Sequence, residues 1–181
     1  MITDNVAVTF GRRQFTDIRR RLQVTTTICA LLTTPLLADS TTVINEVFYH
    51  PADDSHTEWV ELANTMSYDM DLGGWRLTGA VEYAFPSDTT IAAGKFLVVA
   101  ADPSKVTLPS IFDTPLGPFE GKLSNQGERI ELRNVSDRLM SWVDYNDREP
   151  WPVAPDGSGA SLAKRHPETD SASVESWAAS S

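Results

Sequence analysis

Cysteine is nearly absent from this chain, with a single residue, Cys29, in 181. That excludes an internal disulfide framework and a zinc–thiolate site, both of which need several thiols. Histidine is scarce as well: His50, His56 and His166 are the only three. None of them stands in His-x-x-x-His or His-Glu-x-x-His spacing, so zinc-protease chemistry has no footing. Serine catalysis lacks its elbow, because Gly157-Ser158-Gly159 is one residue too compact for Gly-x-Ser-x-Gly. Basic residues are also in deficit, 15 against 25 acidic. Five of the arginines (Arg12, Arg13, Arg19, Arg20 and Arg21) fall in the first 38 residues. Beyond Ala38 the chain holds 10 basic and 23 acidic residues, a net charge of −13. A domain so acidic repels polyanions, which argues against nucleic acid and anionic lipid as partners. Finally, from Val43 onward no stretch of ten or more residues keeps a helical period.

What is there begins with the arginines. They precede an apolar stretch from Val24 to Leu37, with the small residue Ala38 after it. A basic region, an apolar run and a small residue at a cleavage point form a secretory signal peptide. The run has 14 residues and is diluted by five threonines, whereas a membrane span needs about 20 mostly apolar residues. The expectation is a leader over residues 1–38, cleaved on export, and one domain over residues 39–181. Cys29 lies in the leader, so the exported domain would carry no thiol.

The domain reads as strands. "VINEVFYH" (Val43–His50) is rich in β-branched and aromatic residues. "EWVELAN" places Val60 and Leu62 on one face and Trp59 and Glu61 on the other. "GERIELRN" turns Ile130 and Leu132 inward and Arg129, Glu131 and Arg133 outward. "GKFLVVAAD" (Gly94–Asp102) is almost continuously apolar, as in a central strand covered on both sides. Pro103–Phe119, with four prolines, reads as a long connection containing a short helical turn. Eight or nine short strands between turn signals predict an all-β sandwich or barrel.

The ordered motifs "VINEV", "EWVEL", "DLGGWRLTG", "YAFPSDTTIAAGKFLVVAAD", "LSNQGERIELRN", "WVDY", "PWP", "DGSGASL" and a closing Trp177 resemble a lamin-tail domain of the bacterial exported type. The resemblance spans Val43–Trp177 and implies an immunoglobulin-like β-sandwich. Similar modules accompany exported nucleases, phosphoesterases and spore-coat-like kinases. The family has no accepted catalytic site, so the resemblance implies no catalytic, cofactor-binding or metal-binding residue. It implies a non-enzymatic module that binds or tethers a protein or envelope partner outside the cytoplasm.

Each motif with residue types suited to chemistry has a competing structural explanation. "DLGGWRLTG" (Asp71–Gly79) lacks the lysine and helix start of a phosphate loop. It reads as a turn at Gly73–Gly74 that delivers Trp75 and Leu77 to the core, followed by a hairpin at Gly79–Ala80. "SNQGE" (Ser124–Glu128) reads as a turn too. Asp53–Asp54, Asp144 with Asp147 and Glu149, and Asp156 with Asp170 are the acidic clusters near turns. They leave open a calcium-stabilised structural or adhesive domain, although no spaced ligand set is present. His50 and His56 flank "PADDS" and leave open an accessory role in phosphate-ester hydrolysis, although that loop has no Lys or Arg. The expectation for both histidines is exposure to solvent. Among five tryptophans, Trp75 is expected in the core and Trp177 is expected to pin the C-terminus. Trp59, Trp142 and Trp151 are left as candidate ligand contacts.

Overall fold

The computed structural model describes residues 41–107 and 114–180; the expected leader at 1–38 lies outside the described residues. The chain first forms β1 (Thr42–Phe48), β2 (Trp59–Asn64), β3 (Met70–Asp71), β4 (Arg76–Gly79), β5 (Val81–Ala84), β6 (Thr90–Ile91) and β7 (Phe96–Ala100). A 3₁₀ turn at Pro103–Lys105 leads to β8 (Glu120–Gly121), β9 (Gly127–Arg133), β10 (Leu139–Asn146) and β11 (Leu162–Lys164). A second 3₁₀ turn at Val174–Ser176 precedes β12 (Trp177–Ala179). Among the described residues there is no α-helix, as the lack of helical period predicted.

Two five-stranded sheets carry the fold, in the orders β12-β11-β1-β2-β7 and β10-β9-β4-β5-β8, with β3 and β6 as a separate pair. Every strand pairing is antiparallel. The alternation read in β2 and β9 holds: Val60, Leu62, Ile130 and Leu132 are all fully buried in one core cluster. Leu77, Val99, Val143 and Leu162 join them there. Each such side chain contributes about 1.5–3 kcal/mol relative to exposure.

Β7 departs from its expectation in position. It is buried at Leu97, Val98, Val99 and Ala100, yet it is the last strand of its sheet rather than a central one. Its free side is closed by a parallel bridge from Val99 to Leu116, with Leu116 donating to the Val98 carbonyl at 2.8 Å. The strand count also exceeds eight or nine, because β3, β6 and β8 have only two residues each. A two-residue strand shows no alternation.

"DLGGWRLTG" is the turn it was expected to be. The Trp75 amide donates to the Leu72 carbonyl at 2.9 Å and the Gly74 amide to the Phe85 carbonyl at 3.0 Å. A Cβ on Gly73 would lie 2.5 Å from the Ser87 carbonyl oxygen, so no larger residue fits. Gly79 opens the hairpin into β5 at φ +98°, where a Cβ would sit 2.4 Å from the Arg129 carbonyl oxygen.

Polar groups tie β1, the middle strand of the first sheet, to β10, the end strand of the second. The β1–β2 register shifts between Ile44 and Glu46, and the β9–β10 register shifts between Leu139 and Ser141. Bulges of this kind bend a strand and redirect its amides. The Ile44 amide donates to the Ser141 hydroxyl at 3.1 Å. Ser141 meets the Ser171 hydroxyl at 3.2 Å, and Lys164 Nζ donates to that same Ser171 oxygen at 2.9 Å and to the Pro167 carbonyl at 3.0 Å. Trp177 Nε1 donates to the Ser171 carbonyl at 3.0 Å. Trp177 is 1% exposed, so it pins β12 as expected.

Candidate functional site

Two surface features bear on function. The first is a cleft of about 590 Å³ at one end of the sandwich, where the β1–β2 loop meets the segments around Lys105 and Lys122. Asp53 begins a tight turn there, and its Oδ1 accepts from the Ser55 amide at 2.9 Å, from the Ser55 hydroxyl and from His56 Nδ1 at 3.0 Å. The Ser55 hydroxyl, ahead of His56, holds the Asp53 carboxyl down to about 2. His50 Nδ1 lies 2.5 Å from Asp156 Oδ1, 106 residues along the chain. Gly157 packs on the imidazole, where a Cβ would come within 3.3 Å. The expectation of two solvent-facing histidines therefore holds for His56 and fails for His50, whose side chain is 34% exposed and paired.

Glu58 closes the floor. Its Oε2 accepts from the Leu123 amide at 2.8 Å, and burial raises its carboxyl despite that bond and the nearby Lys122 and His50. Lys105 Nζ donates to the Asp54 carbonyl at 2.9 Å. Lys105 thus reaches a loop whose own sequence has no basic residue, and Lys122 lines the same cleft, because connections distant in sequence converge at this end.

The acidic clusters do not assemble. Asp156 pairs with His50 rather than joining Asp170, whose Oδ1 accepts from the Ala172 amide at 2.9 Å. Asp144 is exposed and in register with Arg129. Asp147 lies 3.5 Å from Arg148 Nε. Among the described residues no group of three or more His, Cys, Asp or Glu side chains converges on a metal position.

The second feature is an open groove of about 830 Å³ between the Glu149–Val153 loop and β12, bordered by Trp151, Arg165, Glu175 and Ala179. β12 is the last strand of its sheet. Its pairing with β11 is flanked by the Arg165 amide donating to Ser176 and the Ser180 amide donating to Ser161. Antiparallel alternation then turns the backbone groups of Ala179 and the Trp177 carbonyl away from β11, toward the open side. Trp151 stacks obliquely on Trp177 with centroids 6.3 Å apart, and Val153 beside it is 56% exposed. Sequence reasoning singled out Trp151 but missed this edge, since three residues in a polar tail give no strand signal.

The other two candidate aromatics each lie against a neighbour and stay partly exposed. Arg129 lies over the Trp142 ring at 4.0 Å, and Trp59 packs on Phe48 at 5.6 Å. Arg129 and Arg133 both pair with Glu131 at 2.6 Å. Burial pushes the Glu131 carboxyl up, but the two guanidinium groups outweigh it and hold it below its ordinary value. "SNQGE" is a turn, with the Tyr145 hydroxyl donating to the Ser124 carbonyl at 2.8 Å.

Two antiparallel sheets face to face around one core, with loops gathered at the ends, define an immunoglobulin-like β-sandwich. The family model for the lamin tail domain matches residues 38–147, and the chain belongs to that family. Β11 and β12 lie beyond the matched residues and complete the first sheet. No curated protein matches the chain.

Proposed function

We propose that this chain is a non-catalytic module, exported or held at the cell surface, that tethers a protein partner by accepting an extended segment along β12. The carrying observation is the outward-turned backbone of Ala179 beside a groove bordered by Trp151, Val153, Arg165 and Glu175. An unpaired edge offers main-chain hydrogen bonds, and an adjacent groove supplies side-chain pockets. The end cleft supports the same reading from the other side. Asp53 is engaged with its own turn and His50 with Asp156 of a distant loop, which suits holding loops together better than moving protons.

The test pairs capture with turnover. Envelope fractions passed over the immobilised protein should yield one discrete partner, and Ala179→Pro should lose it while melting at the same temperature, since an edge strand tolerates proline. Incubation with bis-p-nitrophenyl phosphate and magnesium or manganese should give no product above buffer. Metal-dependent turnover lost in a His50→Ala variant would overturn the non-catalytic reading.

A further inference from the structure

The cleft at the end of the sandwich holds more hydrogen-bonding groups than its own loops use. The side-chain bonds to Asp53 all fall on Oδ1, and the bond to Glu58 falls on Oε2. The second oxygen of each carboxyl is left over. His50 and His56 each turn Nδ1 to a carboxylate. A neutral ring placed in that way donates through Nδ1 and keeps Nε2 as an acceptor. Lys105 Nζ has three N–H groups and makes one hydrogen bond, to the Asp54 carbonyl. Lys122 forms no ion pair with another described residue. Asn125 stands on the Ser124–Glu128 turn, which the Gln126 amide and the Tyr145 hydroxyl hold through Ser124.

The charges of this cleft nearly cancel. Asp53, Asp54 and Glu58 line it together with Lys105 and Lys122. An anion there would face the carboxyls, and a cation the ammonium groups. A neutral hydroxyl meets neither penalty, because one oxygen both donates and accepts. Alongside lies a smaller depression of about 290 Å³, which shares His56, Thr57 and Lys105 with the cleft. Trp59 lines it, half-buried and packed on Phe48. An aromatic face is apolar and carries negative charge density, so it attracts the C–H groups of a ring laid on it. Donors and acceptors beside one accessible aromatic ring match a ligand with hydroxyls at its rim and C–H bonds on its face. A pyranose sugar has that shape.

We propose that this cleft is a second binding site, for a neutral oligosaccharide, with one sugar ring on Trp59 and the hydroxyls of its neighbours on Glu58, Lys122 and Asn125. The cleft, at about 590 Å³, is within the range of small-ligand sites, and the adjoining depression extends it in the way a chain of sugars requires. The inference goes beyond the β12 reading and does not rest on it: the residues differ, and so does the chemistry of the occupant. A module with both sites holds a glycan in the loops at the end of the sandwich and a protein segment at a strand edge.

Isothermal titration of the protein with cellohexaose, chitohexaose and maltohexaose tests the site, with hexagalacturonate and a glucosamine hexamer as anionic and cationic comparisons. At least one neutral chain should bind with a Kd of about 1 mM or tighter, and both charged chains at least about tenfold more weakly. Lys122 is exposed and Asn125 half-buried, so Lys122→Glu combined with Asn125→Ala should melt like the parent and weaken the binding at least about tenfold. Trp59→Ala should abolish it, and Trp59→Phe, which keeps an aromatic face, should restore most of it. Trp142→Ala, on the other sheet, and Ala179→Pro, on β12, should leave it unchanged. Binding by none of the neutral chains, tighter binding of a charged chain, or binding that survives the Lys122 and Asn125 changes overturns the proposal, as does loss in Ala179→Pro. Capture of a protein partner at β12 is read separately, and its failure leaves this result unaffected.

Discussion

Glu61 shows how one side chain couples this fold to pH. Its carboxyl is raised to about 7 mainly by burial, whereas in the unfolded chain it titrates near 4.5. Between those values the folded protein holds a proton that the unfolded chain has released. Stability is therefore full below about 4.5 and falls as pH rises through about 7. Glu61→Gln keeps the acceptor for Asn45 and removes the titration. Urea unfolding at pH 5 and pH 8 should show the wild type losing about 2 kcal/mol more than the variant across that interval. Equal losses would contradict the buried placement of this carboxyl. Nothing in "EWVELAN" announced the shift, because alternation gives a face but not whether that face is covered. His50 was opaque for a related reason: its partner Asp156 lies 106 residues away, and only the folded topology brings the two loops together.

Single elements differ in how plainly they were written. Β9 was legible because Ile130 and Leu132 alternate with charged residues, and the Arg129–Glu131–Arg133 ladder occupies the face opposite the core. Β7 was legible as a strand, but its place at the sheet's end was not, since the bridge to Leu116 gives it the neighbour that a central strand would have. Β3, β6 and β8 are too short for any period to show. Β12 depends on one residue: Trp177 is buried against the core, bonds to Ser171 and holds a three-residue strand in place. Trp177→Ala should cost about 3–5 kcal/mol, as for large aromatics removed from cores, with a matching fall in the urea midpoint. A change below 1 kcal/mol would mean that the strand docks without its anchor.

At the scale of the whole molecule, the sandwich is built on one core and on the bulged contact between β1 and β10, and among the described residues no three His, Cys, Asp or Glu side chains gather. No helix among those residues is long and apolar enough to cross a membrane. Asp53, Asp156 and Asp170 each already accept a hydrogen bond on Oδ1, and among the described residues they do not converge into one ligand set. The melting temperature should accordingly be the same in millimolar calcium and in chelator; a rise with calcium would restore the calcium-stabilised reading. The central claim is that β12 accepts an extended partner, and hydrogen exchange at the Ala179 amide tests it most directly. On binding the partner captured from envelope fractions, that amide should slow by at least about tenfold while amides in the His50–Glu58 loop stay unchanged. Unchanged exchange at Ala179, with new protection confined to the loop, would contradict it.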